Sequence, residues 1–170
     1  MYDFINTLVD NHEHSNEHLQ PYSVLIGDWD FTWVGKKDDG SRWEVPGQWH
    51  FSWILAGRAI QDNWICPRID FKNTGVYPEG EYGTTIRFYD HKEGRIKVVW
   101  IGPALSNLSV FAAERDGDRI VQNELFPRKE KLSRWMFRDI TGRSFKWEAH
   151  VSHDQGKSWD LEQEVFATRM

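Results

Sequence analysis

The chain has one cysteine, Cys66, in 170 residues. An internal disulfide and any multi-cysteine metal site are therefore excluded, and a reducing compartment is expected. Nowhere do eighteen apolar residues follow one another, so no segment reads as a membrane-spanning helix. Positive charge is neither abundant nor clustered: 21 Lys and Arg stand against 26 Asp and Glu, a net charge of −5. That balance argues against a nucleic-acid partner. The first twenty residues lack the basic start and long apolar run of a secretory leader, and a soluble, cytoplasmic protein without a membrane partner is the expectation. Catalytic signatures are missing too. There is no Gly-rich phosphate loop, no Gly-x-Ser-x-Gly elbow and no His-Glu-x-x-His zinc motif, and neither a cofactor nor a metal is expected.

Aromatic residues are what the chain has in excess: ten Trp, ten Phe and five Tyr. Each one, when buried, removes roughly 150–250 Å² from water. Two readings stay open. The rings fill a core, or several of them line a cavity shaped for a planar or apolar ligand.

The pattern of those rings is that of strands. From Leu25 to Val34 an apolar lead-in meets Gly27, and Trp29, Phe31 and Trp33 then alternate with Asp28, Asp30 and Thr32. Gln48 to Leu55 repeats the alternation with Trp49, Phe51 and Trp53. Further strands are read at 59–65, 84–90, 96–101, 107–114, 119–125, 132–140, 144–152 and 159–168, separated by turn residues. Residues 68–82 form the longest loop, suited to shaping a pocket mouth. Phe4, Ile5, Leu8 and Val9 have helical spacing, so a short N-terminal helix is expected over residues 2–9. His14 and His18 would share a helix face, and with His12 they invite a metal reading. The surrounding polar stretch offers no shell to orient the rings, and a solvated segment is favoured. The organisation expected is an arm at 1–21 and a single domain at 22–170, an all-β, antiparallel up-and-down barrel of about ten strands.

Gly27-x-Trp29 at the head of the first strand resembles the opening of lipocalin and wider calycin barrels. The resemblance implies that Trp29 closes one end of the barrel and that an arginine of the last strand, Arg169, covers it. Ser152, Asp154, Gly156 and Trp159 have the spacing of the Asp-box turn, read as a structural staple. Over residues 25–170 the order LIGDWDFTW, ILAGRAIQDNW, IRFYD, RWMFRDIT, SFKWE, SHDQGKSW and ATR is similar to a group of uncharacterised bacterial calycin-like proteins. That group has no common activity, so the resemblance implies fold and not chemistry.

Chemistry must then come from charges embedded in apolar strand faces. Asp62 shares an alternation set with Ile60 and Trp64, Arg87 with Thr85 and Tyr89, Glu124 with Ile120 and Gln122, and Arg134 with Leu132 and Met136. A charge on an apolar face must be paired or hydrated. Two acids and two bases could neutralise one another inside a barrel, or an arginine could orient a carboxylate, phenolate or enolate. The aromatic pocket expected around them comprises Trp33, Trp53, Trp64, Tyr89 and Trp100. Three functions fit. The first is binding of a small planar or hydrophobic molecule with an acidic or phenolic group. The second is a cofactor-independent isomerase, cyclase or lyase with Asp62 as acid or base and Arg87 as electrostatic stabiliser. The third is a structural or interaction protein whose N-terminal helix docks on a partner or builds a homodimer. His50 and His150 fall opposite the aromatic sets and are expected on the outer surface.

Overall fold

Large side chains at every second position need a sheltered face, and a lone curling sheet supplies one by closing on itself. The computed structural model describes residues 16–37, 39–68, 80–127 and 131–170. Its strands are β1 (Gly27–Lys36), β2 (Arg42–Ile54), β3 (Ala59–Cys66), β4 (Glu81–Asp90), β5 (Arg95–Gly102), β6 (Asn107–Asp116), β7 (Arg119–Glu124), β8 (Leu132–Arg138), β9 (Ser144–Ser152) and β10 (Asp160–Arg169). Each pairs antiparallel with its neighbours in the chain, and β1 also pairs with β10, which closes the barrel. The all-β up-and-down barrel expected from the alternation is thus the observed fold. None of the described helices is long and apolar enough to cross a membrane.

The strands of β1 and β2 show how sequence sets the packing. Trp29, Phe31 and Trp33 all point inward and are buried. Phe31 pairs with Gly47, where an added Cβ would overlap the Phe31 ring, so the glycine provides the space in which the ring lies. The strand begins at Gly27, whose φ of +126° suits glycine alone. Leu25 belongs to the preceding turn instead, and its carbonyl accepts the Trp29 indole N–H at 2.7 Å.

One end of the barrel, the base, is closed by a 3-10 turn at Glu17–Leu19 followed by a one-turn helix α1 (Gln20–Ser23). Asn16 caps the turn by accepting the His18 amide at 3.0 Å, and Pro21 sits near the start of the helix, where a missing N–H does no harm. Leu19, Tyr22 and Leu25 enter the base fully buried. The helix expected over residues 2–9, like His12 and His14, lies outside the described residues. Arg169 covers Trp29 as the resemblance implied: its Cζ is 4.1 Å from the ring centroid. The guanidinium also donates to the carbonyls of Gly142, Ile26 and Val24 at 2.7, 2.9 and 2.8 Å, tying the last strand to the segment before the first.

The opposite end carries the Asp-box turn between β9 and β10. Asp154 accepts the Ser158 amide at 2.9 Å and the Ser158 and Ser152 hydroxyls at 2.6 and 2.8 Å. These bonds, those from Ser158 foremost, hold its carboxyl down at about 2. The turn is a staple, as its spacing suggested.

Candidate functional site

Strands β3 and β4 aim Asp62 and Arg87 into the barrel, in the alternation expected. Both are within 1% of complete burial. Asp62 Oδ1 accepts the Trp49 indole N–H at 2.7 Å, and Oδ2 pairs with Arg87 Nη1. Removing two charges from water is expensive, and a direct pair with further hydrogen bonds is the condition for tolerating it. The guanidinium lies 4.9 Å from the Tyr22 ring centroid, with Phe51 and Phe137 next to it. Tyr22 in turn donates to Gln122 Oε1 at 2.8 Å. Burial raises the Tyr22 phenol well above its usual range, although Arg87 pulls the other way. Two donors in this cluster, Arg87 Nε and Gln122 Nε2, are buried without a hydrogen-bond partner among the described residues.

Arg87 and Trp49 of this cluster stand at the floor of a cavity of about 370 Å³. The walls are flat aromatic surface: Trp33, Trp64, Trp100, Phe111, Trp135 and Trp147. The rings brace one another, with centroids 4.2 Å apart for Phe111 and Trp135 and 5.4 Å for Trp135 and Trp147. Trp100 lies against Gly83, where an added Cβ would strike the indole. Higher in the barrel the lining turns polar, with Ser109, Glu124 and Ser133. Glu81 also lines the cavity, but its two oxygens accept the amides of Ala104 and Leu105, each at 3.1 Å, so it mainly holds the β5–β6 turn. At the rim Lys131 and Glu162 form an exposed ion pair at 2.8 Å.

Of the residues expected at the site, Trp33, Trp64, Trp100, Arg87 and Glu124 line this cavity. Asp62 does not: it stands behind Arg87 and Trp49. Trp53 and Tyr89 are corrected, although they have the inward parity. Each sits near the base end of its strand, beyond the floor, with Trp53 paired to Ile60 and Tyr89 stacked on His18 at 3.7 Å. Arg134 is also corrected, because β8 turns the set Ser133, Trp135 and Phe137 inward, one residue out of step with the expectation. Trp135 and Phe137 take the inner face. Arg134 is on the outer wall, donating to Asn123 at 2.8 Å with its Cζ 3.9 Å over the Trp159 ring. The expected four-charge interior is therefore reduced to one buried pair plus Glu124. His50 and His150 are on the outer wall as expected, beside Asp28 and Glu148.

Trp49, Trp135, Trp147 and Tyr22 are parts of the site that the sequence reading did not assign. Trp147 alternates with Phe145 and Ala149, and Trp135 with Phe137, which is signal enough in hindsight. Tyr22 precedes the first strand and has no periodicity to mark it. Among the described residues no three His, Cys, Asp or Glu side chains cluster to hold a metal. Burial pushes the Cys66 thiol up to about 12, which leaves it unreactive.

No protein-family model matches the chain, and no curated protein matches it in sequence. Solved structures do match in shape. The crystal structure of Rv2717c from M. tuberculosis is similar with a TM-score of 0.59 at 14% identity, covering 92% of this chain and 99% of that one. The S-type phycobiliprotein lyase CPES from Guillardia theta is similar with a TM-score of 0.53 at 12% identity, covering 89% and 91%. At such identities the likeness is one of fold.

Proposed function

We propose that the barrel binds a small planar, largely hydrophobic molecule carrying an acidic or phenolic oxygen, in a cytoplasmic setting. The ring system lies between the tryptophan walls, and the oxygen is directed at Arg87. One observation carries this reading: a cavity walled by indoles is lined at one end by the buried Arg87. An acidic or phenolic oxygen brought to that end would be held by a charge-assisted bond to the guanidinium.

Binding suits the geometry better than acid–base catalysis. Asp62 has one oxygen on Trp49 and the other on Arg87, and it does not line the cavity. Its part in this reading is to position Arg87. The likeness to the S-type phycobiliprotein lyase is one of fold alone.

Titration with planar aromatic acids and phenols, followed by tryptophan fluorescence and thermal shift, tests the proposal. A ligand at 100 times its Kd should add about 2.7 kcal/mol of stability. Binding of acids should weaken by roughly 10- to 100-fold when Arg87→Met and Asp62→Leu are combined, because a hydrogen bond to a charged group contributes about 1.5–3 kcal/mol. Neutral isosteres should be affected less. Absence of quenching and of any thermal shift across the panel would refute the reading.

A further inference from the structure

The cavity is polarised along its length. Arg87 supplies donors at the floor, and the upper wall presents acceptors, chiefly the Glu124 carboxylate with the hydroxyls of Ser109 and Ser133. The register fixes how far apart these poles stand. Arg87 pairs with Val98, Val98 with Phe111, and Phe111 with Glu124, so the two lie on one cross-strand row, three strands apart. At about 4.8 Å per strand the row is roughly 14 Å long, measured along the curved wall. Between the poles the lining is indole and phenyl, with Phe111 on the row itself and Trp100 and Trp135 on either side. Arg87 is balanced by Asp62 directly behind it. The floor is consequently a hydrogen-bonding site with little net charge, whereas the upper lining offers carboxylate and hydroxyl oxygens.

From this arrangement we infer that the ligand is bipolar: an oxygen acceptor at the Arg87 end, an aromatic body, and a hydrogen-bond donor, a protonated amine or a hydroxyl, that meets Glu124. This deepens the binding proposal and rests on it. A carboxylate offers about four acceptor sites, so Glu124 can receive such a donor in addition to its other contacts. An ammonium would gain further from the surrounding ring faces, whose negative π clouds attract cations, whereas a hydroxyl would gain only the hydrogen bond. The two donors are therefore distinguishable by affinity.

Calorimetric titration with four matched probes decides the matter: 2-naphthoate, 2-naphthylmethylamine, 6-hydroxy-2-naphthoate and 6-(aminomethyl)-2-naphthoate. The aminomethyl acid should bind at least about tenfold tighter than 2-naphthoate, as one added charge-assisted bond implies, with the hydroxy acid between them. The gap between aminomethyl acid and plain acid should close in Glu124→Gln, whose folding is checked by its melting temperature. Should that variant not fold, the wild-type ranking already decides. Equal affinity for 2-naphthoate and both substituted acids, or a gap that survives Glu124→Gln, would overturn the bipolar ligand while leaving the cavity reading intact. Failure of all four probes to bind would remove both.

Discussion

The two halves of this barrel are made of the same residue types and do opposite things with them. Toward the base, Trp29 is fully buried, its N–H held by Leu25 and its face covered by Arg169. Phe137 and Phe145 fill the space beside it, with ring centroids 5.5 Å apart. Nearer the other end, Trp100 and Trp135 are only partly buried and face a cavity. Aromatic excess therefore signals neither a core nor a pocket. What separates the halves is whether something enters the barrel to complete the packing. At the base Leu19, Tyr22 and Leu25 do so, and the upper half has no such insertion among the described residues.

The largest effect should come from the charges that mark the boundary. Asp62→Ala leaves Arg87 buried without its partner and should lower stability by about 3–5 kcal/mol in urea unfolding. Glu124→Gln, in the hollow half, should change it by less than about 1 kcal/mol. Equal losses would mean that the two carboxylates share one structural role, and the contrast between the halves would fall.

A second pair separates the halves through packing alone. Phe137→Ala opens a hole in a filled region and should cost about 3–5 kcal/mol, whereas Trp135→Ala only widens an existing cavity and should cost less than half as much. Differential scanning calorimetry of the two variants would measure this directly.

The smallest effect concerns the devices that secure the two ends. The base is tied by Arg169, which keeps its charge at any ordinary pH. The other end is stapled by Asp154, whose carboxyl is held at about 2 against an ordinary 3.8. A depressed folded-state value means that the staple contributes fully above the unfolded value near 3.8 and loses that contribution as pH falls toward about 2. The stability advantage of wild type over Asp154→Asn, read from urea midpoints, should therefore shrink on going from about pH 5 to about pH 3. Arg169→Ala should show no such narrowing from its own ionisation.

How much of this was legible in the sequence differs along the chain. The alternation in β1, β2 and β3 placed Trp33, Trp64 and Asp62 on the inner face, because one face there carries nearly all the large residues; in β4 the outer face also holds Tyr82, Ile86 and Phe88, and Arg87 faces inward with Thr85 and Gly83. In β8 both sets, Leu132, Arg134 and Met136 against Ser133, Trp135 and Phe137, hold apolar groups, and a one-residue choice moves every side chain across the wall. The long stem of Arg134 suits an outer position against Trp159, which alternation alone does not reveal. Height within the barrel was also illegible. Trp53 and Tyr89 have the right parity, but which level a residue occupies depends on strand tilt and on register with neighbours. The contact between Trp49 and Asp62 joins adjacent strands at a diagonal that periodicity does not encode.

The glycine at position 83 has a bearing on selectivity that its own lack of a side chain conceals. The Trp100 indole rests in a recess formed where β4 omits a Cβ. A single methyl there would force the ring off the wall and toward the hollow. The width available to a guest is thus governed partly from a place it never touches, and variation at such vacant positions gives a barrel of this kind a means of changing its occupant while every contacting residue stays the same.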